Sequence, residues 1–142
     1  MDAPTNSGFS FSKRSRDSLI RVHSDLVLVM FRALQLSPID FIITEGERSL
    51  KRQRALIASG DSQLKNPQSS RHIANSQGIV HAVDFVPWVD GHVSWEWWHF
   101  DPVGAAIKRA SVELTIPVEW GGDWTGRYKD GPHVQLPKPL YP

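Results

Sequence analysis

The segment Gly78-Ile79-Val80-His81-Ala82-Val83-Asp84-Phe85-Val86 sets a carboxylate in the middle of an apolar run. Ile79 to Val86 reads as a β-strand, because the run is short, rich in β-branched residues and bounded by Gly78 and Pro87. A free carboxylate is expensive to bury. Asp84 is therefore expected either to be paired with another side chain or to ligate a metal ion. His81 lies three residues earlier, and strand alternation sends the two side chains to opposite faces unless a bulge intervenes. That favours His72 as the partner of Asp84, with His81 as its rival. A loop can deliver His72: residues 60–78 are rich in Ser, Gln and Asn and contain Pro67.

The elements around this strand follow from periodicity and punctuation. Residues 1–11 read as a polar lead-in. Ser12 or Ser15 can cap a helix with Asp17 near its first turn. Leu19, Val22, Leu26, Met30, Ala33 and Leu34 recur at three- and four-residue spacing, which predicts one long amphipathic helix ended by Ser37-Pro38. Phe41 to Thr44 reads as a buried strand, and Arg48 to Ala58 as a second helix stopped by Gly60. Pro87 through Gly91 should turn the chain. Pro102 suits the first turn of a third helix running to about Leu114. Ile116 to Trp120 and His133 to Leu136 read as short strands, separated by a turn at Gly121-Gly122. Three helices on a small, mostly antiparallel sheet make an α+β fold. The 142 residues are enough for a single domain over 1–142.

Composition removes several kinds of chemistry. With no cysteine, the chain has no disulfide, thiolate metal site or thiol nucleophile. A metal ion would need nitrogen and oxygen ligands, which six histidines and 15 acidic residues can supply. Sixteen basic residues against 15 acidic ones leave a formal charge of +1, so bulk charge gives no sign of a nucleic-acid partner. No apolar run approaches the roughly 20 residues that span a bilayer. The start, MDAPTNSGFSFSKRS, lacks the apolar stretch of a cleavable signal. No stable membrane association is expected, and synthesis should leave the protein in the cytoplasm. The chain has no G-x-S-x-G elbow, no phosphate-binding glycine loop and no H-E-x-x-H.

A second cluster lies near the C-terminus, at Trp120-Gly121-Gly122-Asp123-Trp124 and Asp130-Gly131-Pro132-His133. The Gly-Pro turn can bring Asp130 and His133 to one place, one on a metal ion and the other beside it. Glu96-Trp97-Trp98-His99 imitates this arrangement, with an acid three residues before a histidine. Its alternative reading is an aromatic cap on the core. The other tryptophans are expected mainly to pack the core.

Four stretches, in order and spanning nearly the whole chain, carry a resemblance. They are Phe11-Ser12-Lys13-Arg14-Ser15 with Val22-His23-Ser24-Asp25-Leu26, Glu45-Gly46-Glu47-Arg48-Ser49 with Gln53, Ser70-Arg71-His72 with His81-Ala82-Val83-Asp84, and the C-terminal cluster. Together they resemble the D-Ala-D-Ala carboxypeptidase/VanY-like zinc metallopeptidases, whose fold is also described as Hedgehog-like. The likeness is greatest to their small phage branch, the L-alanoyl-D-glutamate endopeptidase endolysins. The resemblance implies that His72, Asp84 and His133 bind one zinc ion and that Asp130 is the catalytic carboxylate. It implies that Arg48 holds and polarises substrate, and that Ser70 touches it. The expected activity is hydrolysis of the L-alanyl-D-glutamate bond of the peptidoglycan stem peptide. Expected with it are a monomeric protein, lysis of the host cell and release from the cytoplasm to the wall. D,D- or L,D-carboxypeptidase action at the same zinc site is the alternative. Two departures from the family pattern stand out. Eleven residues separate His72 from Asp84 where the family has a short link, and Val134-Gln135 follows the last histidine.

Overall fold

A computed structural model describes residues 6–64, 66–125 and 129–142. The α-helices are α1 (Lys13–Ser18), α2 (Ser24–Leu36), α3 (Leu50–Ser59) and α4 (Trp97–Leu114). The strands are β1 (Phe41–Glu45), β2 (Ala82–Val89), β3 (His92–Val93), β4 (Glu119–Trp120) and β5 (His133–Gln135). The sheet runs β1-β2-β5-β4, with β3 folded back on β2, and every strand pair is antiparallel. This is the expected α+β architecture.

The predicted first helix is two helices. Ser12 caps α1, its hydroxyl accepting from Ser15 N at 3.2 Å. The chain then leaves the helix through Arg21 at φ 70°. Val22 and Val80 pair as an isolated bridge, with His23 N donating to Val80 O at 2.9 Å and Val80 N to Arg21 O at 2.8 Å. His23 restarts the helix, its Nδ1 accepting from Asp25 N at 3.0 Å. Leu19 and Val22 are buried, but from a turn rather than a helix. No proline or glycine marks the break. It is imposed by pairing with residues nearly 60 positions away, which local periodicity does not register. That bridge also engages Val80 before β2 begins, so β2 starts at Ala82 rather than at Ile79.

The prolines do not punctuate as expected. β2 continues through Pro87 to Val89, because β5 pairs only with Ala82 to Asp84 and asks for no donor at Pro87, whose carbonyl accepts from Ser94 N at 2.9 Å. Pro102 is the sixth residue of α4, not part of its first turn. Its missing N–H leaves the carbonyl of Trp98 without a helical partner, and Trp98 is exposed to water. The lead-in is only partly a polar lead. Met1 to Thr5 lie outside the described residues, whereas Ser7 bonds to Leu34 O and Gln35 O, Phe9 packs on the core and Phe11 joins it.

The core lies between helices and sheet. α2 contributes Leu26, Val29, Met30 and Ala33, and α4 contributes Val103, Ile107 and Ala110, all fully or almost fully buried. Val83 and Phe85 of β2 and Val134 of β5 are sealed beside them. Of the tryptophans, Trp120 is 5% exposed, whereas Trp95 and Trp98 are each 67% exposed. The expectation of core packing therefore fails for the aromatic run at the start of α4. Trp120 is held between glycines: a Cβ on Gly104 or Gly122 would collide with its indole ring. Its Nε1 donates to Gly131 O at 2.7 Å, which ties the turn preceding His133 to the core.

Candidate metal centre and cleft

The sheet places the site as a row. Glu45 on β1, Asp84 on β2 and His133 on β5 are register partners across three adjacent strands. A β-bulge between Ile43 and Glu45 brings Glu45 opposite Asp84. His72 reaches the same point from the loop. His72 Nε2 lies 3.3 Å from His133 Nδ1 and 3.2 Å from Asp84 Oδ1, and His133 Nδ1 lies 3.5 Å from Asp84 Oδ1. The enlarged link after His72 therefore folds back without displacing it. Gly78 turns it at φ 78°, while Asn75 Oδ1 accepts from Gln77 N and Ile79 N.

The three atoms are aimed by their neighbours. His72 Nδ1 contacts Gly46 O at 2.8 Å, and that carbonyl can only accept, so the ring proton sits on Nδ1 and Nε2 is left as a lone pair. His133 Nε2 contacts Gln135 Oε1 at 2.7 Å, while Gln135 Nε2 donates to Glu119 Oε1 at 3.0 Å. With the amide oxygen facing His133, the ring proton sits on Nε2 and the Nδ1 lone pair points inward. Arg48 holds the other oxygen of Asp84, donating from Nη2 to Oδ2 at 3.2 Å. The same guanidinium is gripped by Glu45 Oε1, at 3.0 Å from Nε and 2.5 Å from Nη2, and by Gln53 Oε1 at 2.7 Å from Nη1. Four of its five N–H donors are thus committed.

This donor set fits a metal ion. Asp84 Oδ1 is buried and accepts no hydrogen bond, which is costly for a carboxylate oxygen. Two imidazole lone pairs converge on it, and neither brings a proton. Zinc bonds of 2.0–2.1 Å in a tetrahedron set ligand atoms about 3.3 Å apart, close to the three separations here. Burial works against the Asp84 carboxylate, but the imidazoles of His133 and His72 beside it hold it well below the usual carboxylate range. Burial likewise works against a charged His133, and the Asp84 carboxylate outweighs it and raises the imidazole. Among the described residues, His72, Asp84 and His133 form the one group of this kind.

The trio opens into a cleft of about 630 Å³, of the size that encloses small ligands. Arg48, Ser70 and Asp130 all line it. Ser70 is buried, and its hydroxyl accepts from His72 N at 3.2 Å. Asp130 stands outside the ligand group, on the turn into β5, where its carbonyl accepts from His133 N at 3.1 Å. Gly121 makes room for this turn, since a Cβ there would strike the Asp130 backbone. Trp124 packs its ring 5.3 Å from that of His133. The two rivals are elsewhere. His81 is buried against His23, with ring centroids 5.8 Å apart. His99 Nδ1 pairs with Ser94 Oγ at 2.5 Å, and Glu96 is the N-cap residue of α4. Sequence reasoning missed the supports. Glu45, Gly46, Glu119 and Gln135 aim the site without resembling ligands. A signal for Gln135 existed, because strand alternation puts it on the same face as His133.

The family model for phage L-alanyl-D-glutamate peptidases matches residues 7–136. The chain belongs to this family. It is accordingly a peptidase. It is 37% identical over 139 residues to the L-alanyl-D-glutamate peptidase of Escherichia phage T5, covering 90% of this chain and 98% of that one. It is 34% identical over 103 residues to the peptidoglycan L-alanyl-D-glutamate endopeptidase CwlK of Bacillus subtilis, spanning 69% of this chain and 61% of that protein. Among solved structures it matches the L-Ala D-Glu endopeptidase ChiX of Serratia marcescens. The TM-score is 0.82 at 42% identity, over 94% of both chains. No helix among the described residues is long and apolar enough to cross a membrane.

Proposed function

We propose that this phage-type peptidase is a zinc-dependent endopeptidase that hydrolyses the L-alanyl-D-glutamate bond of the peptidoglycan stem peptide. We further propose that it serves as an endolysin, made in the host cytoplasm and released to the wall. The observation that carries the reading is the convergence of His72 Nε2, His133 Nδ1 and the unpartnered Asp84 Oδ1 at 3.2–3.5 Å in an open cleft. Names carried by the relatives from Escherichia phage T5, Bacillus subtilis and Serratia marcescens supply the bond.

His72, Asp84 and His133 would hold the zinc ion. When bound, it supplies Lewis acidity for a peptide carbonyl and for water. Asp130 is assigned as general base and acid: it takes a proton from the attacking water and returns it to the departing amine as the C–N bond breaks. The products are one carboxylate and one amine. Arg48 keeps Asp84 turned so that Oδ1 faces the histidines, and its remaining Nη1 donor is assigned to the substrate. Ser70 stabilises the backbone at His72 and offers its hydroxyl proton to the cleft.

Asp130→Asn tests the assignment. Hydrolysis should fall by about 10²–10⁴-fold, the usual contribution of general acid–base catalysis, with one zinc still bound per chain. Full activity in a zinc-loaded variant would overturn the role of Asp130. Mass spectrometry of digested wall should show new D-Glu amino termini. Loss of terminal D-Ala alone would replace this reading with a carboxypeptidase.

A further inference from the structure

The turn that leads into β5 forms one wall of the cleft, which Asp130, Pro132 and His133 line. The residue between them, Gly131, lies against α4. A Cβ there would come within 3.2–3.3 Å of the rings of Phe100 and Trp97. Trp97 therefore backs the cleft wall. Trp95 stands beside it, since the rings of Trp95 and Trp97 lie 6.1 Å and 6.0 Å from that of Phe100. Phe100 is buried and anchors both, yet Trp95 remains 67% exposed and Trp97 45% exposed. Apolar residues scattered singly over a surface need no explanation, whereas adjoining exposed ones mark a contact surface.

Charge narrows the occupant. From Trp88 to Asp101 the chain carries three acids, Asp90, Glu96 and Asp101, all exposed, and no Lys or Arg. Lys129 brings a cation to the edge, with Nζ 5.7 Å from the centre of the Trp97 ring. Acidic surroundings repel an anionic bilayer or a nucleic acid. They suit a neutral ligand with an apolar face and a rim of hydroxyls, because carboxylates accept hydrogen bonds from hydroxyl groups. A pyranose ring has this form. Its C–H face matches the electron-rich face of an indole.

We propose that Trp95 and Trp97 form a saccharide platform, which binds the glycan strand of the wall beside the scissile amide. The inference rests on the L-alanyl-D-glutamate specificity proposed above. In such a substrate the alanyl nitrogen is joined by an amide to the lactyl group of the sugar, so no free carboxylate remains there. One residue, at most about 3.6 Å of extended chain, and the lactyl link separate the sugar from the attacked carbonyl. A peptide seated at the trio thus brings its sugar to the cleft wall, and the platform lies behind that wall.

Two substrates test it: a disaccharide-tetrapeptide of the wall, and the same tetrapeptide with its alanyl nitrogen acetylated and no sugar. The wild-type protein should show a KM at least about tenfold lower for the glycan-bearing substrate, with similar kcat, as expected for binding energy shared by ground and transition states. Trp95→Ala, at an exposed position, and Trp97→Leu, which keeps an apolar side chain against Gly131, should each bring the two KM values together. Equal KM values in the wild type, or a preference that survives in both variants, would overturn the proposal. Equal values together with Trp95-dependent sedimentation on phosphatidylethanolamine–phosphatidylglycerol vesicles would replace it with a membrane contact. If neither substrate is cut at this bond, the peptidase reading has failed separately, and binding decides the platform. Titration with a tetramer of N-acetylglucosamine should then move the indole N–H resonances of Trp95 and Trp97. Unmoved resonances would rule the platform out.

Discussion

At the scale of single residues, the site depends on which nitrogen of each histidine carries the proton. Gly46 and Gln135 make that choice, one through its backbone and the other through a side chain that can be changed. Gln135→Leu should leave His133 free to rotate and to adopt the wrong tautomer. Zinc affinity is expected to fall about 10–100-fold, the usual effect of losing such a support. Competition against a chelator of known affinity measures this, and Gln135→Glu, which keeps an acceptor, should retain most of the affinity. Asp84, Asp130 and His133 were candidates in the sequence because they are polar residues in apolar or sharply turned settings, and His72, on a polar loop, became one because strand alternation turns His81 away from Asp84. Glu119 was not, because an exposed glutamate at a strand end looks the same whether or not it holds a glutamine.

At the scale of elements, two positions carry conformations or contacts that a side chain disturbs. Arg21 adopts a left-handed backbone between α1 and α2, which is unfavourable for a residue with a Cβ. Arg21→Gly should raise stability by about 0.5–1 kcal/mol, read as a higher urea midpoint at unchanged m value. Its ion pair with Glu47, 3.8 Å apart and exposed, contributes little against this. Gly104 is the opposite case, with the Trp120 ring against its backbone. Gly104→Ala should destabilise by about 1–3 kcal/mol through overpacking. It should also loosen the Trp120–Gly131 bond, so activity per folded molecule should fall as well. α3, β1, β4 and β5 were readable from pattern and punctuation, and β2 in part, whereas the two-residue β3 was not. The break in the first helix was not, because the residues that cause it sit on β2's approach rather than in the helix.

At the scale of the whole molecule, the proposed zinc ion would link folding to ion binding, because its donors are drawn from the 60–78 loop, β2 and β5. Removing zinc with a chelator should lower the thermal midpoint, and zinc should restore it. Saturation at 100–1,000 times the dissociation constant corresponds to about 3–4 kcal/mol, or roughly 5–15 °C for a chain of this size. Calorimetry of stripped and reloaded protein checks this, and identical midpoints would contradict it. Acid should act through His81 as well. Burial, Arg71 and His23 lower its folded pKa from the ordinary 6.5, so the unfolded chain takes up this proton first as pH falls. Stability from this residue is intact above about pH 6.5 and is lost on going below it, until the folded form also protonates. His81→Gln should flatten the urea midpoint between about pH 5 and 7, whatever it does to the absolute value.

The sequence by itself determined the fold class, most of the helix and strand segments with their approximate positions, and the candidate donors. Those features depend on local periodicity, on turn residues and on the cost of burying charge, all of which act within a few positions. Tertiary structure decided the rest. It divided the first helix, ran β2 through Pro87, turned Trp95 and Trp98 outward and separated His81 and His99 from the trio. It also selected the donor atom on each histidine and set Arg48 against Asp84. These outcomes depend on contacts between residues that lie far apart in the chain, such as Val22 with Val80, Gly46 with His72 and Asp84 with His133. No local pattern encodes which of several polar residues will meet when strands from three parts of the chain pair.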